Sequence, residues 1–245
     1  MFVCFALGIL FHSGCDKNPD DNGNGNGSGN GNEDVYLLIE VLYDGEVAEK
    51  YEYDDQNRLK KCIYIFQHEK IRKIITFEYN DEGDLVSEHI SFPNDPENDH
   101  TKTITKNENI INIGANESIE LDAEGLPIKW ISVYDEGSAF KSFIWKDGNV
   151  IVQTYGETYN GSTNSETSIL TYDDKKNPMF HCKTQKWCLL LLYPDPEPFL
   201  LGQKNNILTM EDYVTFEYTY NEAGFPVAAY SDEEIDWSFK YEKKK

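Results

Sequence analysis

The sequence is poor in basic side chains: 22 Lys and Arg stand against 44 Asp and Glu, giving a formal net charge of −22 at pH 7. Nucleic-acid binding depends on clustered Lys and Arg that displace counterions from phosphates, so this balance argues against a nucleic-acid partner. It also argues against electrostatic docking on anionic lipid. The acidic surface is best explained by solubility through mutual repulsion, and binding of a cation or a basic partner is the alternative.

The sequence also lacks an apolar run long enough to cross a bilayer as a helix, which takes about 20 residues. Its one uncharged apolar stretch near the start, residues 1–11, has the length of a signal-peptide core. Two small residues follow, and then Cys15, although His12 stands where lipoprotein signals usually carry an aliphatic residue. We predict a lipoprotein signal peptide over 1–14 and a lipid on Cys15, with an ordinary signal peptide as the alternative.

The segment after Cys15 is almost devoid of apolar side chains. Residues 16–34 read DKNPDDNGNGNGSGNGNED, and such a stretch cannot bury enough surface to offset the entropy of ordering it. We predict a flexible tether over 15–34 that carries a single domain over 35–245. Calcium binding by this run is the alternative, but the nonapeptide repeat of calcium-binding β-rolls is missing. The acidic cluster resembles the surface-export signal of Bacteroidetes lipoproteins, which implies an outer-membrane location, with exposure at the cell surface.

From Val35 onward one hairpin pattern recurs. An alternating strand ends in an aromatic residue, and then come Asp or Asn, a short polar turn with Gly or Asn, and a second strand. The Asp or Asn side chain can bond the backbone two residues on, and Gly or Asn supplies the positive φ that closes the turn. The copies lie at 51–59, 77–85, 119–127, 143–150, 170–178 and 218–226.

These hairpins predict an all-β fold. Their strands alternate with period two, so one face is apolar and the other polar, as in an antiparallel sheet with one face in water. Hairpins in series form a meander, and one this long has to curl to cover its apolar face. We therefore predict an antiparallel meander curled into a roll or an open barrel.

One stretch interrupts the hairpin pattern. Asn177-Pro178 resembles a helix start and precedes an apolar run, which predicts a short helix near 178–192 that plugs one end of the curled sheet. A membrane-dipping loop is the alternative.

The Tyr-x-Tyr-Asp-x-x-Gly-x-Leu pattern is similar to the YD repeats of large secreted toxin and adhesion proteins. Together with the lipidation signal, the Asn-Pro-Met-Phe step at 177–180 and the Lys-Asn-Asn-Ile step at 204–207, it resembles a family of Bacteroidetes lipoproteins of unknown function. The resemblance covers about residues 36–242. It implies a curled, porin-like sheet at the cell envelope and carries over no catalytic residue.

The cysteines and histidines form no complete motif. Cys62, Cys182 and Cys188 are odd in number, and their spacing suits neither a disulfide framework nor a zinc site, although one disulfide stays open. The histidines are scattered, and there is no nucleophile elbow, P-loop or dinucleotide fingerprint.

One acidic loop resembles the first half of a calcium site. Asp95, Glu97 and Asp99 stand at alternating positions, but the glycine and the later glutamate of such a loop are missing. A solvated loop is therefore predicted, with calcium as the alternative.

We predict a non-enzymatic binding or structural module of the cell envelope, with a glycan or protein ligand, no cofactor and no metal. Trp130, Trp145 and Trp237 are candidate platforms for sugar rings, while packing in the core is the favoured interpretation of each. An envelope carbohydrate-active hydrolase is one alternative, because carboxylates are plentiful. A carrier that holds an apolar ligand inside the curled sheet is the other.

Overall fold

The computed structural model describes residues 34–66, 70–192, 202–211, 214–232 and 236–244. The predicted signal peptide, Cys15 and nearly all of the tether lie outside the described residues. Residues 34–245 form one compact unit by themselves. In the described part of the chain, no helix has the length and apolar character needed to span a membrane.

The described residues contain sixteen strands that follow one another around a closed antiparallel barrel. Each strand pairs with the next along the chain, and the first pairs with the last to close the ring. The strands are β1 (Val35–Tyr43), β2 (Glu46–Tyr53), β3 (Leu59–Phe66), β4 (Lys70–Tyr79), β5 (Leu85–Ser91), β6 (His100–Asn107), β7 (Ile110–Ile113), β8 (Glu117–Leu121), β9 (Pro127–Tyr134), β10 (Gly137–Lys146), β11 (Asn149–Tyr159), β12 (Ser162–Tyr172), β13 (Ile207–Met210), β14 (Val214–Tyr220), β15 (Pro226–Ser231) and β16 (Asp236–Lys244). The predicted all-β antiparallel meander is confirmed, and its sheet closes fully.

The recurring turns all lie at one end of the barrel, because alternate connections of a meander share an end; we call it the turn end. In four of these turns, the side-chain oxygen of the Asp or Asn accepts the N–H groups of the residues two and four positions on. The backbone N–H of the same Asp or Asn donates to the carbonyl four positions on. These four residues are Asp54, Asn80, Asp122 and Asn221.

The connection between β12 and β13 uses the same turn, opened by a long insertion. Asp173 Oδ1 accepts the N–H of Lys175 and the N–H of Asn206, which is 33 residues on, each at 3.0 Å. The Asp173 N–H donates to the Asn206 carbonyl at 3.0 Å. Asn206 thus takes the role that the residue four positions after Asp or Asn has in the other turns. The second strand of the hairpin predicted at 170–178 therefore begins only at Ile207.

We call the described part of the insertion, residues 174–192 and 202–205, the plug. It bonds to three of the turns around the ring: Lys183 N–H donates to the Asn57 carbonyl, Lys176 N–H to Gly224 and Lys204 N–H to Gly148, at 2.9–3.1 Å. Its buried side chains join the core that lines the barrel, with Trp187, Cys188, Leu189 and Leu192 almost fully covered. The insertion therefore fills the turn end.

The predicted helix is present but shorter than 178–192, since α1 spans Lys186–Leu189. Asn177 begins a turn, because its Oδ1 accepts the Met179 N–H at 2.9 Å. The next bonds close separate turns, from Phe180 N–H to the Asn177 carbonyl and from Cys182 N–H to the Met179 carbonyl. The sequence pattern at Asn177-Pro178 therefore marks the first of several turns in the plug, and the helix itself has only one turn.

Candidate binding site inside the barrel

Inward aromatic side chains near the turn end are bonded to the backbone of a neighbouring hairpin. Tyr79 Oη donates to the Leu59 carbonyl at 2.8 Å, and Trp145 Nε1 donates to the Pro127 carbonyl at 2.7 Å. Each acceptor is the first strand residue after a turn. The same bond joins Tyr241 to Pro226 and Tyr218 to Ile207, and Tyr172 bonds Val150, the second residue of its strand. The aromatic of the repeat, and Trp145 with it, therefore fastens neighbouring hairpins together.

Farther from the turn end the inner face becomes polar. Lys102 on β6 and Glu117 on β8 form an ion pair, with Nζ and Oε1 2.6 Å apart. Trp130 on β9 donates its indole N–H to the other oxygen of Glu117 at 3.4 Å. Lys102 also stands opposite Glu88 of β5 in the strand register. We call Glu88, Lys102, Glu117, Trp130, Lys141 and Tyr155 the inner polar site.

Glu88 is the most buried charged group of this site, with 1% of its surface exposed. Its Oε2 has no hydrogen-bond partner. Burial, with a smaller contribution from nearby Glu117, raises the pKa of Glu88 to about 7, although Lys102 and Lys73 lower it. An unsatisfied buried acceptor costs about 1–3 kcal/mol, so stability alone does not explain a glutamate here.

Lys141 on β10 lies between two aromatic rings. In the register it faces Trp130 of β9 on one side and Tyr155 of β11 on the other. Its Nζ is 5.9 Å from the Trp130 ring centroid and 5.8 Å from that of Tyr155. Although only 5% of Lys141 is exposed, the two rings compensate for part of the desolvation of the ammonium group.

Past Lys141, the inner face continues with small residues on β10 between tyrosines of the two neighbouring strands. Ala139 and then Gly137 follow on the same face of β10, and Tyr134 and Tyr159 flank Gly137 in the register. A Cβ on Gly137 would lie 2.0 Å from the Thr158 carbonyl oxygen and 3.1 Å from the Tyr134 ring, so the close approach of β11 leaves no room for a larger residue. Both tyrosines are exposed, by 42% and 52%. We call this strip, which begins at the pair of Trp130 and Lys141 and ends at Gly137, the inner groove.

The arrangement supplies recognition chemistry: ring faces, charge-assisted donors and carboxylate acceptors on one surface. Within the described ranges, no group of three or more His, Cys, Asp or Glu side chains is placed to hold a metal ion. Cys62, Cys182 and Cys188 are free thiols. Burial raises the pKa of all three, which keeps them protonated and unreactive.

The structure does not bring the three predicted tryptophans together. Trp130 and Trp145 lie on neighbouring strands, and only Trp130 belongs to the inner polar site. Trp237 lies on β16, nearly across the ring from β9. It is 8% exposed and packs against Phe216, with ring centroids 5.9 Å apart.

The acidic loop between β5 and β6 folds around its own backbone. A 3₁₀ turn spans Pro96–Asn98, and Asp99 Oδ1 accepts the Phe92 N–H at 2.6 Å. Asp95 accepts a bond from the Asn98 side chain, and Glu97 is exposed. The structure therefore gives Asp95 and Asp99 local bonds, and it gathers no metal-binding group among the described residues of this loop.

The sequence interpretation missed Glu88, Lys102, Glu117 and Lys141. Each lies on the face of its strand that otherwise carries apolar residues, as Glu117 does on the same face as Ile119 and Leu121. A charged side chain at an inward position is the signal that could have revealed them, because such a position normally carries an apolar residue.

No model of a known protein family matches the chain, and no curated protein matches it. A porin-like protein from Bacteroides uniformis shares 13% identity, with 86% of this chain and 96% of that chain covered and a TM-score of 0.28. A mutant Tc holotoxin pore from Photorhabdus luminescens shares 11% identity, with 76% and 11% covered and a TM-score of 0.29. A TcdB2–TccC3 structure shares 12%, with 79% and 10% covered and a TM-score of 0.23.

The chain thus spans about a tenth of the toxin chains that it resembles. Likeness at these TM-scores carries no argument about function, and membership in the lipoprotein family stays a prediction.

Proposed function

We propose that the protein is a non-enzymatic binding module of the cell envelope and that it holds a neutral glycan in the inner groove. The observation that carries this proposal is the bonded row of Lys102, Glu117 and Trp130, which runs along the inner face beside a buried Glu88 with one unpartnered oxygen. Sugar hydroxyls both donate and accept, so they match alternating Lys and Glu groups. The apolar faces of sugar rings match indole and phenol rings.

The charges of the groove select against acidic ligands. Glu166 of β12 stands opposite Tyr155, and Glu157 follows Tyr155 on the same face of β11. With Glu88, the carboxylates of this surface outnumber its lysines, and the whole chain carries −22. A uronic acid or sulfated polymer would meet repulsion there, whereas a neutral oligosaccharide would not.

The glycan proposal is tested on residues 34–245, since the closed ring contains the core found among the described residues. Calorimetric titration with a panel of neutral and acidic oligosaccharides should show saturable binding of a neutral member and release of no product. Trp130→Ala should weaken binding by at least about tenfold, or ~1.4 kcal/mol. Tyr230→Ala removes an aromatic ring that is 43% exposed on β15, outside the groove, and should leave binding unchanged.

Three results contradict the proposal. Binding that is confined to acidic polymers contradicts the charge argument. Equal losses of affinity from Trp130→Ala and Tyr230→Ala would show that the ligand does not bind in the inner groove. Hydrolysis of a bound oligosaccharide would favour the alternative that the protein is an envelope hydrolase.

The envelope location rests on a lipid at Cys15, supported by the apolar run at 1–11, the two small residues before the cysteine and the polar tether after it. Cells that express the full chain should incorporate radioactive palmitate into the protein, and Cys15→Ala should abolish the label. An unlabelled parent protein would contradict the anchor.

A further inference from the structure

The long strand β12 is paired on both sides along only part of its length. β12 pairs with β11 from Ser162 to Ile169. On its other side, β13 reaches only Leu170 to Tyr172 of β12, and the Glu211 N–H adds one bond to the Ile169 carbonyl. Among the described residues, no strand pairs with that side of residues 162–168, and we call this stretch the β12 edge.

The β12 edge is not protected in the usual way. Exposed edges tend to carry several charges, a proline or a bulge, which prevent another strand from adding to the sheet. This edge reads Ser-Thr-Asn-Ser-Glu-Thr-Ser and carries a single charge, Glu166, in a chain of which 27% of residues are charged. The residues from Ser162 to Thr167 are exposed.

We propose that the β12 edge pairs with the β12 edge of a second copy of the chain, antiparallel and centred on Ser165. The sequence of the edge is nearly symmetric about that residue. A twofold axis there sets Thr163 opposite Thr167 of the other copy and Ser162 opposite Ser168. Asn164 then faces Glu166, so the one charge never meets its own copy.

The outer face of the same sheet fits this pairing. Thr163 already bonds Thr158 of β11 at 2.9 Å, and Thr167 bonds Thr154 at 2.9 Å. Pairing across the axis would extend both threonine rows into the second copy. The outward positions on β10, β11 and β12 carry no charge from Ser138 to Ile144, from Val152 to Thr158 and from Thr163 to Thr171.

The charge of the chain favours a second copy over a basic partner strand. A basic partner would gain from carboxylates at the edge, which offers only one. Two copies at −22 each repel one another over long range, so they can approach best where few charges face each other. Added salt screens that repulsion and should strengthen the dimer, whereas it would weaken binding of a basic strand.

Sedimentation velocity on residues 34–245, over about 5–500 µM, should show a monomer–dimer equilibrium of the weak kind expected for one added strand pair. The dimer fraction should rise between about 50 and 500 mM salt. A parent that remains monomeric throughout overturns the proposal, and so does a dimer that salt weakens.

Two double variants test the pairing itself. Thr163→Lys with Thr167→Lys sets lysine opposite lysine twice in the dimer, whereas Thr163→Lys with Thr167→Glu sets lysine opposite glutamate twice. Both variants lose the same hydroxyl bonds to β11, so they differ only in the sign of one side chain. The first should dimerise at least about tenfold more weakly than the second. Equal dimerisation of the two variants would overturn the twofold pairing at this edge.

Discussion

The two halves of the barrel interior are filled in different ways. Rings of sixteen strands are wide enough to leave an aqueous channel, so a closed ring of this size needs more than its own wall to fill it. At the turn end the chain inserts the plug, whose Trp187 and Leu192 pack into the apolar core. In the opposite half, the wall itself supplies charged and aromatic groups.

This contrast separates the half of the interior that stabilises the fold from the half that exposes charged and aromatic groups. The plugged half buries apolar area and bonds inward hydroxyls, as where Tyr64 Oη donates to the Leu192 carbonyl at 2.6 Å, while the amide side chains of Gln185 and Gln203 there keep buried atoms without a partner. The polar half retains Glu88 with an unpartnered oxygen and a lysine that is 5% exposed, Lys141. Charged groups that are costly to bury and add little packing distinguish the half in which we propose that a ligand binds.

Trp187→Ala should give the largest loss of stability. It removes a side chain that is 4% exposed from the core of the plugged half, and such truncations cost about 3–5 kcal/mol. Trp130→Ala, in the half-buried inner polar site, should lower the free energy of unfolding by less than half as much. Urea denaturation measures both. Similar losses would contradict the division into a stabilising half and a presenting half.

Glu88→Gln should stabilise the protein at high pH. The folded state raises the pKa of Glu88 from 4.5 to about 7, so it favours the neutral carboxyl. The contribution of Glu88 to stability is therefore fully present below about pH 4.5 and is lost as the pH rises through about 7.

Glutamine resembles the neutral form at every pH. At pH 8 the variant should be more stable than the parent by up to about 3 kcal/mol, and at pH 4 the two should agree. Urea denaturation across this pH range gives the difference. A constant difference between the two proteins would show that Glu88 does not titrate in this window.

The sequence predicted the turns well because their chemistry is local. Asp54 and Asn80 bond backbone groups within four residues, and that spacing is visible in the chain. It could not predict the closure of the ring, since closure depends on the pairing of β1 with β16, which lie at opposite ends of the domain's sequence. It also could not show that Asp173 pairs with Asn206 and not with the residue four positions on, because the 170–178 stretch contains the residues of an ordinary turn.

The candidate site was less predictable than the fold. Trp130 was singled out because it is aromatic, but nothing in its neighbourhood along the chain indicates Lys102 or Lys141 as partners. These contacts arise from pairings across several strands. The alternation within one strand shows that a charged residue points inward, but it does not show which residue of another strand pairs with it.

Asp173→Ala should affect stability more than the same change in an ordinary turn. The Asp173 carboxylate also accepts the Asn206 side-chain amide at 2.9 Å and the Tyr220 hydroxyl, so it ties both ends of the insertion to β14. Its loss should lower the free energy of unfolding by about 2–3 kcal/mol, against ~1 kcal/mol for Asp122→Ala. Equal losses, measured by urea denaturation, would mean that the inserted turn is no more strongly coupled than a regular one.

The smallest expected effect is at the joint between the plug and the wall. Tyr79 Oη donates to the Leu59 carbonyl, while Thr184 Oγ1 of the plug accepts the Leu59 N–H at 2.7 Å. The two hydroxyl oxygens are 3.4 Å apart. Tyr79→Phe and Thr184→Ala should each lower the free energy of unfolding by about 1 kcal/mol.

A double-mutant cycle tests whether the wall and the plug share this joint. Because both side chains bond the same residue and contact each other, the double variant should lose about 0.5 kcal/mol less than the sum of the single losses. Tyr79→Phe with Thr209→Ala, a hydroxyl on β13 that bonds Thr171, serves as the control and should be additive. Additivity in both cycles would show that the plug is held by its packed side chains and its backbone bonds alone. The plugged half would then owe its stability to apolar burial, without help from the tyrosines of the repeat.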